Sequence, residues 1–157
     1  MNVVALRIRP ATANDYDTLG EVMFDAIHNG PSKYTGAQSR AWAPEPRKGA
    51  DWNARLSRQH VFIAEKESDV LGFMSIETGG YVDFAYIRAS AQGTGLFRKL
   101  FDAVQAWAIA QGETELSTHA SLMAQPAFAA MGFSVDHHET VEVDGQSLAR
   151  ARMIKPL

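Results

Sequence analysis

Two glycines stand at the mouth of a strong helical repeat in Gln92-Gly93-Thr94-Gly95-Leu96-Phe97-Arg98. From Leu96 onward, Leu100, Phe101, Val104, Trp107 and Ala108 recur at spacings of three and four, the pattern of an amphipathic helix. Glycine costs about 1 kcal/mol relative to alanine inside a helix, so this placement asks for a reason. The first turn of a helix leaves backbone N–H groups without internal partners and carries the positive end of the helix dipole. Residues lacking a Cβ ahead of that turn let an anion come close enough to accept several of those N–H bonds. The loop reads as a phosphate cradle, with Arg88, Arg98 and Lys99 adding positive charge nearby. The plainer alternative is a tight strand-to-helix turn.

Two better-known phosphate motifs do not fit. A P-loop needs Gly-Lys-Ser/Thr, which is absent. A dinucleotide fingerprint needs a third glycine where Arg98 stands, and a leading β-α-β unit. Glu113 and Glu115 occupy the distance at which a ribose-binding acid would lie, but three consecutive strand-like runs precede the loop instead.

The elements that hold this loop follow from pattern. "VALRIRPAT" alternates Leu6 and Ile8 with Arg7 and Arg9, a strand stopped near Pro10. "TANDYDTLGEVMFDAIHNG" is helical, with Thr12 or Asn14 as cap and a stop at Asn29-Gly30. Residues 31–58 are less regular: "PSKYTGAQSRAWAPEP" holds a short helix ended by prolines, and "ADWNARLSRQ" another. "HVFIAEK", "VLGFMSIET" and "YVDFAYIR" are strands joined by hairpin-length turns, and the glycine-headed helix covers about 93–111. "TELSTHA" is a short strand and "SLMAQPAFAAMG" a short helix closed by Gly132. "FSVDHHETVEV" and "QSLARARMI" form a hairpin turning at Asp144-Gly145. The order β-α-α-β-β-β-α-β-α-β-β describes an α/β protein, a mixed sheet with helices on its faces.

Composition sets outer bounds. A chain of 157 residues builds one sizeable core, so a single domain over 1–157 is expected. At 46% hydrophobic and 21% charged, it is globular and not disordered. A net charge of −3 argues against broad affinity for nucleic acid or an anionic membrane. There is no cysteine, hence no disulfide, thiol nucleophile or cysteine-ligated metal. "MNVVALRIRP" lacks a signal peptide's long apolar region, and no apolar run approaches the ~20 residues of a membrane span. A cytoplasmic location is the expectation.

With loop and element order in hand, the chain resembles the GNAT superfamily of acyl-CoA-dependent N-acetyltransferases. The family signature is Gln/Arg-x-x-Gly-x-Gly/Ala between the fourth strand and the next helix; here it reads Gln92-Gly93-Thr94-Gly95-Leu96-Phe97. A short helix ending in an apolar-Gly-Phe corner is a second feature, here Met131-Gly132-Phe133. "YTGAQSRAWAP", "YVDFAYIR", "SLMAQPAF" and "VEVDGQSLARARMIKPL" are similar to a bacterial branch of small, mostly uncharacterised members. The fold implied is a mostly antiparallel GNAT sheet with helices on both faces.

That resemblance implies acetyl-CoA as the donor. It puts the coenzyme's pyrophosphate on the backbone of Gln92, Gly93, Thr94, Gly95, Leu96, Phe97 and Arg98. Tyr86 and Ile87 are expected to bond the pantetheine arm through their main chain, as an added strand would, in a slot where the fourth strand splays from the fifth. Phe97 departs from the pattern's final Gly/Ala, although its N–H remains; the helical spacing favours a ring turned to the core, against the alternative that it crowds the phosphate. Phe128 stands where the family commonly has a tyrosine that protonates the departing thiolate, and Ser121 where an asparagine often lies. Phenylalanine donates no proton; the serine can still bond the arm.

Acetyl transfer to an amine needs a neutral nucleophile, yet an amine of pKa ~10.4 is neutral in only about one molecule per few thousand at pH 7. A positioned base contributes ~10²–10⁴-fold, and a main-chain N–H on the fourth strand can polarise the thioester carbonyl. Asp83, interrupting the apolar strand before the slot, is the first candidate base, against the alternative of an outward-facing strand acid. Glu77 is second, and His119, in the strand after the glycine-headed helix, third. His137 and His138 are adjacent on a strand and face opposite ways, so no metal site is expected. The segment 28–46 is expected to wall the acceptor site with His28, Tyr34 and Trp42.

The expectation is therefore direct acetyl transfer to a primary amine of a small molecule or peptide. The alternative is a catalytically silent acyl-CoA-binding or regulatory domain, which Phe128 keeps open. Exposed strand edges offer a route to a homodimer.

Overall fold

The computed structural model describes residues 5–157; Val4, counted in the first predicted strand, lies outside them. Seven strands form one sheet: β1 (Arg7–Pro10), β2 (His60–Lys66), β3 (Asp69–Glu77), β4 (Tyr81–Ile87), β5 (Glu115–Ser121), β6 (Ser134–Val143) and β7 (Gln146–Pro156), in the spatial order β1-β2-β3-β4-β5-β7-β6. Five α-helices accompany them: α1 (Tyr16–Asn29), α2 (Gly36–Trp42), α3 (Ala50–Ser57), α4 (Leu96–Ala110) and α5 (Gln125–Ala130). The irregular stretch 31–58 resolves into α2 and α3, so three helices separate β1 from β2. Thr12 and Asp15 close a 3₁₀ turn ahead of α1, where the Thr12 N–H donates to Asp15 Oδ2 at 2.8 Å. The predicted helix "SLMAQPAFAAMG" begins later than its pattern suggests, because Ser121 still belongs to β5.

The sheet is covered on both faces. Leu19, Val22 and Met23 of α1 and Trp52 and Leu56 of α3 pack with Phe73 and Phe84 on one side. Leu96, Leu100, Phe101 and Val104 of α4 pack on the other with Met74, Ile76, Val82, Leu116 and Met153. Burial on both faces is why β3 reads as a nearly continuous apolar run rather than an alternating one.

Two irregularities in β4 prepare the site. Its only parallel neighbour is β5, and their pairing is confined to Tyr81 opposite Ser117 and Val82 opposite Thr118. Beyond Val82 the two strands part, leaving the rest of β4 paired on one side only. The second irregularity is a bulge: Ile76 pairs with Val82 and Met74 with Ala85, so Asp83 and Phe84 together oppose Ser75. The extra residue resets the side-chain alternation. Tyr81, Asp83, Phe84 and Tyr86 consequently line one cavity, while Val82, Ala85 and Ile87 join the α4 side.

The bulge takes the Phe84 N–H out of the ladder, and the fully buried Ser75 hydroxyl accepts it at 3.0 Å. Ser75→Ala strands this donor. It is expected to destabilise the protein by about 1–3 kcal/mol, read as a lower urea midpoint at unchanged slope.

Candidate active site

The glycine loop joins β4 to α4 through a 3₁₀ turn at Ala89–Ala91. Gly93 and Gly95 have φ of 76° and 86°, in the left-handed region where a side chain is strained, and a Cβ on either would meet nothing within 4 Å. It is conformation rather than crowding within the protein that calls for glycine. Lys99 is the first residue of α4 whose N–H finds a carbonyl, that of Gly95 at 3.3 Å. Among the described residues, the N–H groups from Gly93 through Arg98 have no acceptor in the protein. The loop is braced from behind: Gln92 Nε2 donates to the Ile87 carbonyl (3.1 Å), Thr94 Oγ to the Ala91 carbonyl (2.5 Å), and the Ala89 N–H to Asp25 Oδ2 (2.8 Å). Arg98 and Lys99 are exposed beside it, whereas Arg88 gives its Nε–H to the Val70 carbonyl.

A cavity of about 320 Å³ runs from this loop along the parted edge of β4, lined by Ala85, Tyr86, Ile87, Gly93, Gly95, Phe97, Ser121 and Ala124 among others. Antiparallel alternation decides which main-chain groups face it. The Arg88 N–H bonds the Leu71 carbonyl, and Phe73 pairs with Tyr86 two residues on. The Tyr86 main chain is therefore used by β3, and Ala85 and Ile87 turn theirs toward the open edge. The Tyr86 main chain, expected to face the slot, is thus turned to β3, and Ala85 presents its own to the open edge.

The Phe97 ring is half-buried and meets Phe128 edge-on, with centroids 5.1 Å apart, while still lining the slot. Phe128 itself departs from its expected place at the cofactor. It is only 2% exposed, wedged between Phe97 and Phe133, and does not line the slot.

A second cavity, of about 270 Å³, lies on the α1 and α3 side and includes Tyr34, Arg47, Arg55, Tyr81, Asp83, His119 and Arg150 in its wall. The two cavities share Trp42, Tyr86 and Ser121, so they meet where β4 and β5 diverge. Tyr34 ties the wall together, its hydroxyl donating to the Ala149 carbonyl at 2.5 Å and accepting from the Leu122 N–H at 3.2 Å. Two expected residues are elsewhere. His28 bonds the Ala43 carbonyl through Nε2 at 2.6 Å and lines neither cavity, serving to anchor the end of α2. Glu77 sits at the end of β3, 3.5 Å from Gln59 Nε2 and outside both walls.

Asp83 does face the second cavity, but its oxygens are occupied. Arg55 grips it with two hydrogen bonds, Nε to Oδ2 at 2.9 Å and Nη2 to Oδ1 at 2.7 Å, and Gln59 Nε2 adds a third at 2.6 Å. The carboxylate is 7% exposed. His119 has a different setting. Its Nδ1 lies 2.8 Å from the Tyr81 hydroxyl and its Nε2 3.5 Å from Glu139 Oε1. With Nε2 facing a carboxylate, we assign the proton to that nitrogen, leaving Nδ1 to accept from Tyr81. Burial, reinforced by the positive charge of Arg150, holds the imidazole below its ordinary pKa despite Glu139. Burial, with Asp83 nearby, pushes the Tyr81 phenol up, so it remains a proton-bearing hydroxyl.

Arg47, Arg55, Tyr81 and Arg150 were not legible as site residues. Tyr81 follows the Gly79-Gly80 turn two residues before Asp83, and that spacing was the one available signal. The arginines come from three separate segments. Gly20 of α1 helps seat the first of these: a Cβ there would lie 1.9 Å from the Arg47 carbonyl oxygen, so its absence lets the segment after the prolines press onto the helix.

Residues 31–155 match the family model of the acetyltransferase (GNAT) domain. The uncharacterized N-acetyltransferase YafP of Escherichia coli K12 is 25% identical over 141 residues, covering 89% of either chain. Among solved structures, the GCN5-related N-acetyltransferase (aminotransferase, class-II) from Rhodopseudomonas palustris is 28% identical, with coverage of 100% of this chain and 99% of that one and a TM-score of 0.89. The PaiA N-acetyltransferase from Thermoplasma acidophilum, solved in complex with coenzyme A, is 16% identical over 98% of this chain and 99% of its own, with a TM-score of 0.77.

Proposed function

We propose, given that this chain belongs to the GNAT acetyltransferase family, that it transfers an acetyl group from acetyl-CoA directly to the primary amine of a small-molecule or peptide acceptor. One observation carries the reading: two cavities meet at Trp42, Tyr86 and Ser121, one ending in a row of unpartnered N–H groups and the other holding a neutral-leaning histidine on a tyrosine hydroxyl.

The residues present fit the donor. Unbonded donors from Gly93 to Arg98 at the start of a 15-residue helix suit a diphosphate. The open main-chain edge at Ala85, with the Ile87 N–H beside it, suits an amide-bearing arm, taken up as a short added strand. Acetyl-CoA supplies an acyl group already activated as a thioester. Ser121, whose Oγ accepts from the Ala124 N–H at 3.2 Å, keeps its own hydroxyl proton to donate where the cavities join. Since an ordinary thiol has a pKa of about 8.5, a departing thiolate near neutral pH makes no strict demand for an acid at Phe128.

On the acceptor side, the Tyr81 hydroxyl takes the amine's proton as it passes its own to His119 Nδ1. This relay gives the base role to His119 and leaves Asp83 as the group that positions Arg55. Asp83→Asn tests the division. An amide would turn an NH₂ against donors of Arg55 or Gln59, so about 1–3 kcal/mol of stability is expected to be lost. The acid limb of the kcat profile should stay in place; a displaced limb would return the base role to Asp83.

The reaction itself is tested by following coenzyme A thiol release from acetyl-CoA against a panel of primary amines. Steady, amine-dependent release is expected. Tight acetyl-CoA binding with no release against any amine would instead identify a silent acyl-CoA-binding domain.

A further inference from the structure

The second cavity is unusual in its charge. Three arginines enter its wall, but two are matched: Arg55 by Asp83, and Arg150 by Glu139, whose Oε2 accepts from Arg150 Nη2 at 3.0 Å. Arg47 is different. Among the described residues it makes no ion pair and no side-chain hydrogen bond, and the Trp52 ring centroid lies 6.0 Å from its guanidinium carbon. Arg150 also has a nitrogen to spare, since its Nε is buried without a hydrogen-bond partner. An arginine carries its charge at any physiological pH and offers five N–H donors in a planar fork suited to carboxylates and phosphates. A half-buried guanidinium that bonds no anion, the wall's Asp83 being held by Arg55 and Gln59, is an incomplete pair.

We infer that the acceptor carries an oxyanion in addition to its amine, and that this group docks on Arg47, with Arg150 on the same wall. The inference rests on the acetyltransferase reading and narrows it to small anionic amines of the amino-acid type. Size agrees with a small acceptor: about 270 Å³ falls just below the ~300–1,000 Å³ range of drug-sized pockets. The chemistry agrees as well. Surplus positive charge disfavours the ammonium form of a bound amine and so enlarges the neutral, nucleophilic fraction, while the oxyanion secures the molecule that the same charge would otherwise repel. His119 adds little to this charge, since burial favours its neutral form.

The test compares matched acceptors at a fixed side chain: an α-amino acid, its carboxamide, its decarboxylated amine and its aminophosphonate analogue. For the wild type, kcat/KM is expected to be at least about tenfold higher for an anionic member than for its neutral counterparts, the scale of one charge-assisted hydrogen bond. The carboxylate and phosphonate arms identify which oxyanion fits. Arg47→Ala should narrow the anionic-to-neutral ratio about tenfold or more, and Arg47→Lys should restore part of it. Equal or better turnover of the neutral amines, or a ratio untouched by Arg47→Ala, would overturn the inference and leave the acetyltransferase intact. So would turnover of the neutral amines with none of any anionic one, whereas acetyl-CoA binding without turnover of any amine would remove the acetyltransferase reading itself. Failure of acetyl-CoA to bind at all would remove the underlying reading instead.

Discussion

His119→Ala is expected to lower kcat by about 10²–10⁴-fold at neutral pH, with acetyl-CoA affinity nearly unchanged. The imidazole lies on β5, away from the glycine loop, and lines the second cavity beside Tyr81. Its burial and the neighbouring Arg150 favour the neutral form, so its pKa lies below the usual value of about 6.5. The sign of the pH effect follows. A base must be unprotonated to work; activity should therefore persist as pH falls through the ordinary histidine range and be lost only below it. In His119→Ala that acid limb should vanish. Tyr81→Phe, which removes the relay oxygen and keeps the ring, should reduce kcat in the same direction. Steady-state kinetics between pH 5 and 9 decide the matter. A His119→Ala enzyme with kcat within threefold of wild type, or with its acid limb preserved, would exclude the relay. Stability moves with pH in the same sense: the fold binds the neutral ring, so protonation at low pH favours the unfolded chain and weakens the protein.

Gly95→Pro is expected to weaken acetyl-CoA binding by at least about a hundredfold. Proline fixes φ near −65°, whereas Gly95 sits at 86°, so the loop must reorganise. The substitution also deletes the Gly95 N–H and turns its neighbours away from a common focus. Each charge-assisted hydrogen bond lost costs about 1.5–3 kcal/mol, and two suffice for the stated factor. Titration calorimetry with acetyl-CoA measures this, and thermal unfolding shows whether α4 still docks. Gly95→Ala is the gentler companion. It keeps the donor and strains the backbone by about 1–2 kcal/mol, so it should bind better than the proline variant. Wild-type affinity in a folded Gly95→Pro protein would mean that the loop is only a turn.

Much of the fold was written in local pattern. The period of α4, the three-strand run from β2 to β4 and the Asp144-Gly145 hairpin, with φ of 45° and 77° at its turn, each depend on residues close in the chain. The glycine loop is legible for the same reason, since six consecutive N–H groups and two left-handed glycines lie within seven residues. The second cavity follows no such rule. Asp83 looks like a lone strand acid until Arg55 and Gln59 arrive from α3 and the turn after it. His28 and Phe128 have the right chemical types for a site, but hydrogen bonding and core packing claim them first.

By itself, then, the amino-acid order determined the sheet-and-helix plan and the glycine loop, because helix period, strand alternation and backbone conformation act over a few neighbouring residues. Only the tertiary structure decided the Tyr81–His119 contact and the unmatched charge. Tyr81 meets His119 across 38 residues because β4 and β5 lie side by side before they part, and Arg47 is left without an ion pair among the described residues because the wall's carboxylate, Asp83, is held by Arg55 and Gln59. Both depend on strand register and packing, which no short window of sequence contains.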